Sequence, residues 1–200
     1  MQNTGLFALV IVACAGLVSA QIPIPNRPDG YGVGGPADAH VVIDMFLDLL
    51  CPDCKASWPV DLQLIQNYGT KIHFRIHTFP LPYHTNGFVV AQGLHVIANV
   101  TNKNLDSIFK YATKIFDNQE QWYNAATQNM TIPEVVESLA TFSAQTGVVT
   151  KEKFLAGMAS DDINFETRVS WKYACSRGNS QQREKKGRER IISCLMIFRC

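Results

Sequence analysis

Apolar positions change their period along this chain, and the changes mark out its elements. Residues 40–50, HVVIDMFLDLL, are apolar and β-branched on both alternating faces, which predicts a strand covered on both sides. Residues 54–68 follow with helical character and stop at Gly69, a candidate C-cap. Residues 71–79, KIHFRIHTF, alternate: Ile72, Phe74 and Ile76 on one face, His73, Arg75 and His77 on the other, half-exposed one. Strand, helix and strand in close succession predict a right-handed βαβ unit.

From residue 85 to 175 the pattern turns helical. Leu105, Ile108, Phe109, Ala112, Ile115 and Phe116 make one apolar stripe at helical spacing. Thr131 and Glu134 have the spacing of a capping box, with Pro133 in the first turn, and Thr150 and Asp161 are further candidate N-caps. Residues 21–38, QIPIPNRPDGYGVGGPAD, read as an extended Pro/Gly-rich leader. Gly30, Gly32 and Gly35 match a dinucleotide-loop spacing, but such a loop follows a strand and opens a helix. This one precedes the first predicted strand and runs into Pro36, so no nucleotide site is read from it.

Residues 1–20 have the form of a secretory signal peptide: an apolar stretch from Gly5 to Val18, then small residues before Gln21. The apolar run is shorter than the roughly 18 to 20 residues a bilayer span needs. Cleavage after Ala20 would leave a chain of ordinary domain size. The sequons at Asn99 and Asn129 fit a secreted or luminal glycoprotein.

Charge is uneven. Of 18 basic and 17 acidic side chains, residues 177–200 hold seven basic and two acidic, leaving the body at net −4. A body of that sign offers no basic face for nucleic acid.

The stretch LDLLCPDCKASWP places Cys51 and Cys54 two residues apart where the apolar strand gives way to a helix. A structural zinc site needs four N/S ligands, and His73 and His77 stand about 13 Å apart along a strand. Two readings remain, a static crosslink and a redox pair. A cysteine at a helix N-terminus meets unpaired N–H groups and the positive end of the macrodipole, which favour the thiolate. Cys54, one turn in, would be shielded. Pro52 and Asp53 lie between them, and a carboxylate at 53 would oppose ionisation of Cys51.

The buried strand, the CPDCK helix start, Pro59 five residues after Cys54 and the second strand resemble the thioredoxin fold. FPLPYH followed by a long helical block looks like its DsbA-like branch, over about residues 36–177. The resemblance implies an α/β thioredoxin-like fold with a helical domain inserted at about 85–160 inside residues 39–177. It implies that Cys51 attacks and Cys54 resolves, with protein thiols and disulfides as substrates and with no cofactor or metal. In thioredoxin relatives a buried acid stands six residues before the first cysteine; here that position is Met45, with Asp44 and Asp48 nearby as substitutes or as solvated or capping acids. The family's proline loop, hairpin and last helix have no counterpart in residues 178–200, an atypical basic tail in which only Ile191 to Phe198 is apolar enough to add a strand. The runner-up is a secreted, non-catalytic binding module with a static Cys51–Cys54 disulfide, which would resist mild dithiol.

Overall fold

A computed structural model describes residues 22, 24, 29–178 and 189–193. Residues 1–20, expected to be a signal peptide, Cys194, Cys200 and the rest of the tail lie outside the described residues. Strands β1 (Tyr31–Gly34), β2 (Val41–Leu47), β3 (His73–Thr78) and β4 (Glu189–Ser193) form one sheet in the order β1-β3-β2-β4. β2 and β3 run parallel, with Val42 opposite His73 and Leu47 opposite Thr78, and α1 (Pro52–Tyr68) crosses between them. This is the expected βαβ unit, and its apolar residues Met45, Leu47, Phe74 and Ile76 are almost wholly buried.

Two strands lie where alternation gave no signal. β1 arises inside the leader and pairs antiparallel with β3, Tyr31 opposite Ile76. Its YGVG sequence is too short and glycine-rich to show a period. Gly34 has φ +92°, and a Cβ there would stand 2.8 Å from the Ile72 carbonyl oxygen, so glycine is required. β4 lies in the tail and pairs parallel with β2, from Val41 opposite Glu189 to Met45 opposite Ser193. The substitute strand therefore starts within the charged run, two residues before the apolar segment, because ladder pairing satisfies backbone groups whatever the side chains.

The helical block comprises α2 (Gly87–Val100), α3 (Leu105–Asn118), a 3₁₀ turn (Gln119–Trp122), α4 (Ile132–Gln145), α5 (Lys151–Met158) and α6 (Asp161–Gly178). The α3 stripe buries Ile108, Ala112, Ile115 and Phe116, with Leu105 and Phe109 packed partly against the same core. Thr131 and Glu134 form the reciprocal capping box, and Thr150 caps α5. Asp161 does not cap α6. The Ser160 hydroxyl accepts the Ile163 N–H at 3.4 Å, which leaves Asp161 and Asp162 in the first turn, complementing the helix dipole.

The polar face of β3 is not half-exposed. His77 is fully buried between the rings of Phe46 (4.6 Å) and Tyr173 of α6 (5.3 Å), and Arg75 is buried beside it. His73 is part-buried, its Nδ1 2.7 Å from the Gly35 carbonyl oxygen. Asp44 and Asp48 are buried as well, so neither is a solvated acid. α6 covers this side of the sheet, which period-2 alternation cannot foresee.

Candidate active site at the start of the first helix

Cys51 is the N-cap of α1, in extended conformation, and Pro52 occupies the first helical position. Proline brings no N–H, so the first free donors of the helix belong to Asp53 and Cys54. The helix begins two residues earlier than the sequence pattern suggested, for the same reason: proline is pre-set for a first turn.

Cys51 and Cys54 are both buried thiols and adjacent. The Cys51 thiol is lowered to about 6. A hydrogen bond from the Cys54 side chain is the largest cause; burial opposes it, and the Cys54 and Asp53 backbone N–H groups assist. Asp53 thus acts here through its N–H, while the opposing negative charge comes from Asp48. Pro52 and Asp53 are exposed on the first turn. Pro59 removes a donor from the middle of α1, opposite the carbonyl of Lys55.

Several neighbours carried no motif. Asp48 sits just beyond β2, where strand alternation has ended. Its Oδ1 accepts the Leu50 N–H and its Oδ2 the Leu81 N–H, each at 2.8 Å, and His84 Nδ1 lies 2.6 Å from Oδ2. The Asp48 carbonyl also accepts the Cys51 N–H at 3.0 Å. Gln119, fully buried, donates from Nε2 to the carbonyls of Leu49 (3.0 Å) and Cys51 (3.3 Å), tying the strand-to-helix turn to the helical block. The one available signal was FPLPYH, which places His84 directly after the second strand.

Met45, six residues before Cys51, is wholly inside the apolar core, and the buried acids on that segment are Asp44 and Asp48, seven and three residues before Cys51. His73 and His77 have separate partners, Gly35 and Asp44. Asn99 and Asn129 are both exposed. Cys175, half-buried on α6, has its thiol raised by desolvation.

A parallel βαβ core, a cysteine pair on the first turn of its crossover helix and a helical block after its second strand define a thioredoxin-like α/β fold with an inserted helical domain. The thioredoxin family model matches residues 30–173, and the chain belongs to that family. Solved structures share the fold at low identity. Wolbachia pipientis alpha-DsbA1 is 16% identical with a TM-score of 0.55, covering 80% of this chain and 73% of its own. Pseudomonas aeruginosa DsbA2 gives 16%, 0.55, 77% and 77%. The thiol-disulfide exchange protein alpha-DsbA2 from Wolbachia pipientis gives 16%, 0.53, 88% and 82%. Curated protein sequences give no match.

Proposed function

We propose that this chain is a thiol–disulfide oxidoreductase of the secretory pathway, with Cys51 as attacking thiol and Cys54 as resolving thiol. The observation that carries the reading is the Cys51 sulfur at a helix N-terminus, accepting a hydrogen bond from Cys54 and held as thiolate near neutral pH. In the reducing direction the Cys51 thiolate attacks one sulfur of a protein disulfide, forming a mixed disulfide and releasing the other sulfur as a thiolate, which takes up a proton. Cys54 then loses its proton and attacks Cys51, closing the Cys51–Cys54 disulfide and releasing the second protein thiolate. Two electrons pass from the pair to the substrate, and the reverse sequence oxidises a dithiol. No cofactor or metal enters either step.

In this reading residues 1–20 are a signal peptide, 21–38 a leader, 39–177 the thioredoxin-like domain with its helical insertion at about 85–160, and 178–200 the tail. The sequons at Asn99 and Asn129 lie on exposed positions where an oligosaccharide can be attached. Among the described residues no helix is long and apolar enough to cross a membrane. Reduction of insulin disulfides under a dithiol supply tests the function: the wild type should turn over, Cys51→Ser should lose all activity, and Cys54→Ser should trap a mixed disulfide. A wild type no faster than Cys51→Ser, with a disulfide that resists mild dithiol, would establish the static crosslink instead.

A further inference from the structure

We propose that His84 is a positioning residue for Cys51: protonated, it neutralises the Asp48 carboxylate beneath the cysteine turn, and neutral, it leaves that charge uncompensated. The inference rests on Cys51 being the reactive thiol. Its carriers are geometric. Asp48 is held rigidly by the Leu50 and Leu81 N–H groups, so its carboxylate cannot swing away from the turn. His84 Nδ1 meets that carboxylate at 2.6 Å, and the main-chain oxygen of Asp48 accepts the Cys51 N–H at 3.0 Å. The His84 side chain keeps 17% of its surface exposed, while the Asp48 side chain keeps 1%.

The other charged and titratable groups around the pair have fixed places. The Tyr83 ring meets His84 edge-on at 4.7 Å. From α6, Arg168 and Lys172 line the cavity of about 630 Å³ that His84 also lines, and add positive potential there. Around Cys51 stand Cys54, the Asp53 carboxylate on the first turn, Tyr123, and the exposed Lys55–Glu120 pair at 2.6 Å. His84 is the titratable side chain in hydrogen-bond contact with the Asp48 carboxylate, which places it to switch the net charge there. The Cys51 and His84 protonations are then coupled, and each reports on the other.

The test reads Cys51 alone, by the pH dependence of its alkylation by iodoacetamide in the reduced full chain, resolved by peptide mass. His84→Gln should move the midpoint upward by about half to one pH unit, making labelling roughly three- to tenfold slower on the acid side. His84→Lys, which restores a cation beside Asp48, should bring the midpoint back toward the wild type. A His84→Gln profile superimposed on the wild type, or a His84→Lys shift as large as that of His84→Gln, overturns the proposal. If His84→Gln fails to fold, the wild type still decides: the Cys51 Cβ resonance should show a second inflection at the pH where the His84 ring titrates, and a single inflection overturns the coupling. The function assay stays separate. Shifted profiles without insulin reduction sink the oxidoreductase reading only, and superimposed profiles with full activity sink only the role of His84.

Discussion

Arg75 donates from Nε to Asp44 Oδ1 at 2.7 Å and from Nη2 to Oδ2 at 3.2 Å, a two-pronged ion pair between directly opposed residues of β3 and β2. His77 Nε2 adds a third contact to Oδ1 at 3.1 Å. Burial raises the Asp44 carboxyl, but the His77 hydrogen bond and the Arg75 charge outweigh it and hold the group below its usual 3.8. Removing one partner of a buried pair strands the other charge without solvent. Asp44→Ala should therefore cost about 3 kcal/mol in urea unfolding at pH 7. Because the folded carboxyl is depressed, its contribution is present above the unfolded value and lost as pH falls through the folded one. The stability gap between wild type and Asp44→Ala should narrow below pH 3.8. A gap that does not change with pH would mean that Asp44 is held by packing alone.

Asp61 has the opposite sign. It is buried on α1, where Ser57 Oγ donates to it at 3.4 Å, and desolvation raises its carboxyl to about 6. A raised acid favours the fold while protonated, so its contribution is present below the unfolded value of 3.8 and lost as pH rises through about 6. Asp61→Asn should be neutral at pH 3.5 and more stable than the wild type at pH 7 by about 1 kcal/mol, allowing for solvent screening. Thermal melts at the two pH values check this, and an equal difference at both would exclude the ionisation account.

The βαβ unit and the helical block could be read from the sequence because their signals are local: the HVVIDMFLDLL run, the α3 stripe and the Thr131–Glu134 box each lie within a few turns of chain. The cysteine pair was legible too, since proline inside a C-x-x-C at the end of a buried strand is a positional statement. What surrounds it was not. His84 meets Asp48 across 36 residues of sequence and Gln119 meets the Leu49 and Cys51 carbonyls across 70 and 68, and no period encodes such meetings. The burial of Arg75 and His77 depends likewise on α6 closing over a face that looks polar along β3 itself. β1 and β4 are short strands whose pairing is set by a partner strand rather than by their own side chains.

Gln119 links the two parts of the fold at the site. Its Nε2 bridges the Leu49 and Cys51 carbonyls, tying down the strand-to-helix turn that carries Cys51. Gln119→Leu keeps the volume and removes the donor, leaving two buried carbonyls without that partner. It should lower stability by about 1 to 3 kcal/mol. It should also slow Cys51 alkylation at pH 6.5, where Gln119→Glu, lacking the donor and carrying a charge, should slow it further. Denaturation and labelling rates on the same samples separate the two effects, and full retention of both would show that the bridge is incidental.

The last prediction concerns the tail. β4 pairs with β2 from Val41 to Met45, so the strand that leads into the cysteine turn is internal to the sheet rather than an edge. Deleting residues 179–200 would leave that row of β2 backbone groups unpaired and offer it to other copies of the chain. The deleted form should melt several degrees lower, self-associate at micromolar concentration, and exchange β2 amide hydrogens faster than the full chain. Deletion also removes the basic charge, so a second variant isolates the strand. The double variant Ile191→Pro/Ile192→Pro keeps every charge, and because successive N–H groups of a strand point to opposite sides, one of the two prolines must take a donor out of the β2–β4 ladder. If β4 is part of the sheet, the double variant should reproduce most of the faster β2 exchange, whereas Gln181→Pro, outside the strand, should not. Equal exchange and equal melting for the full chain, the double variant and the deletion would show that β2 does not depend on the tail.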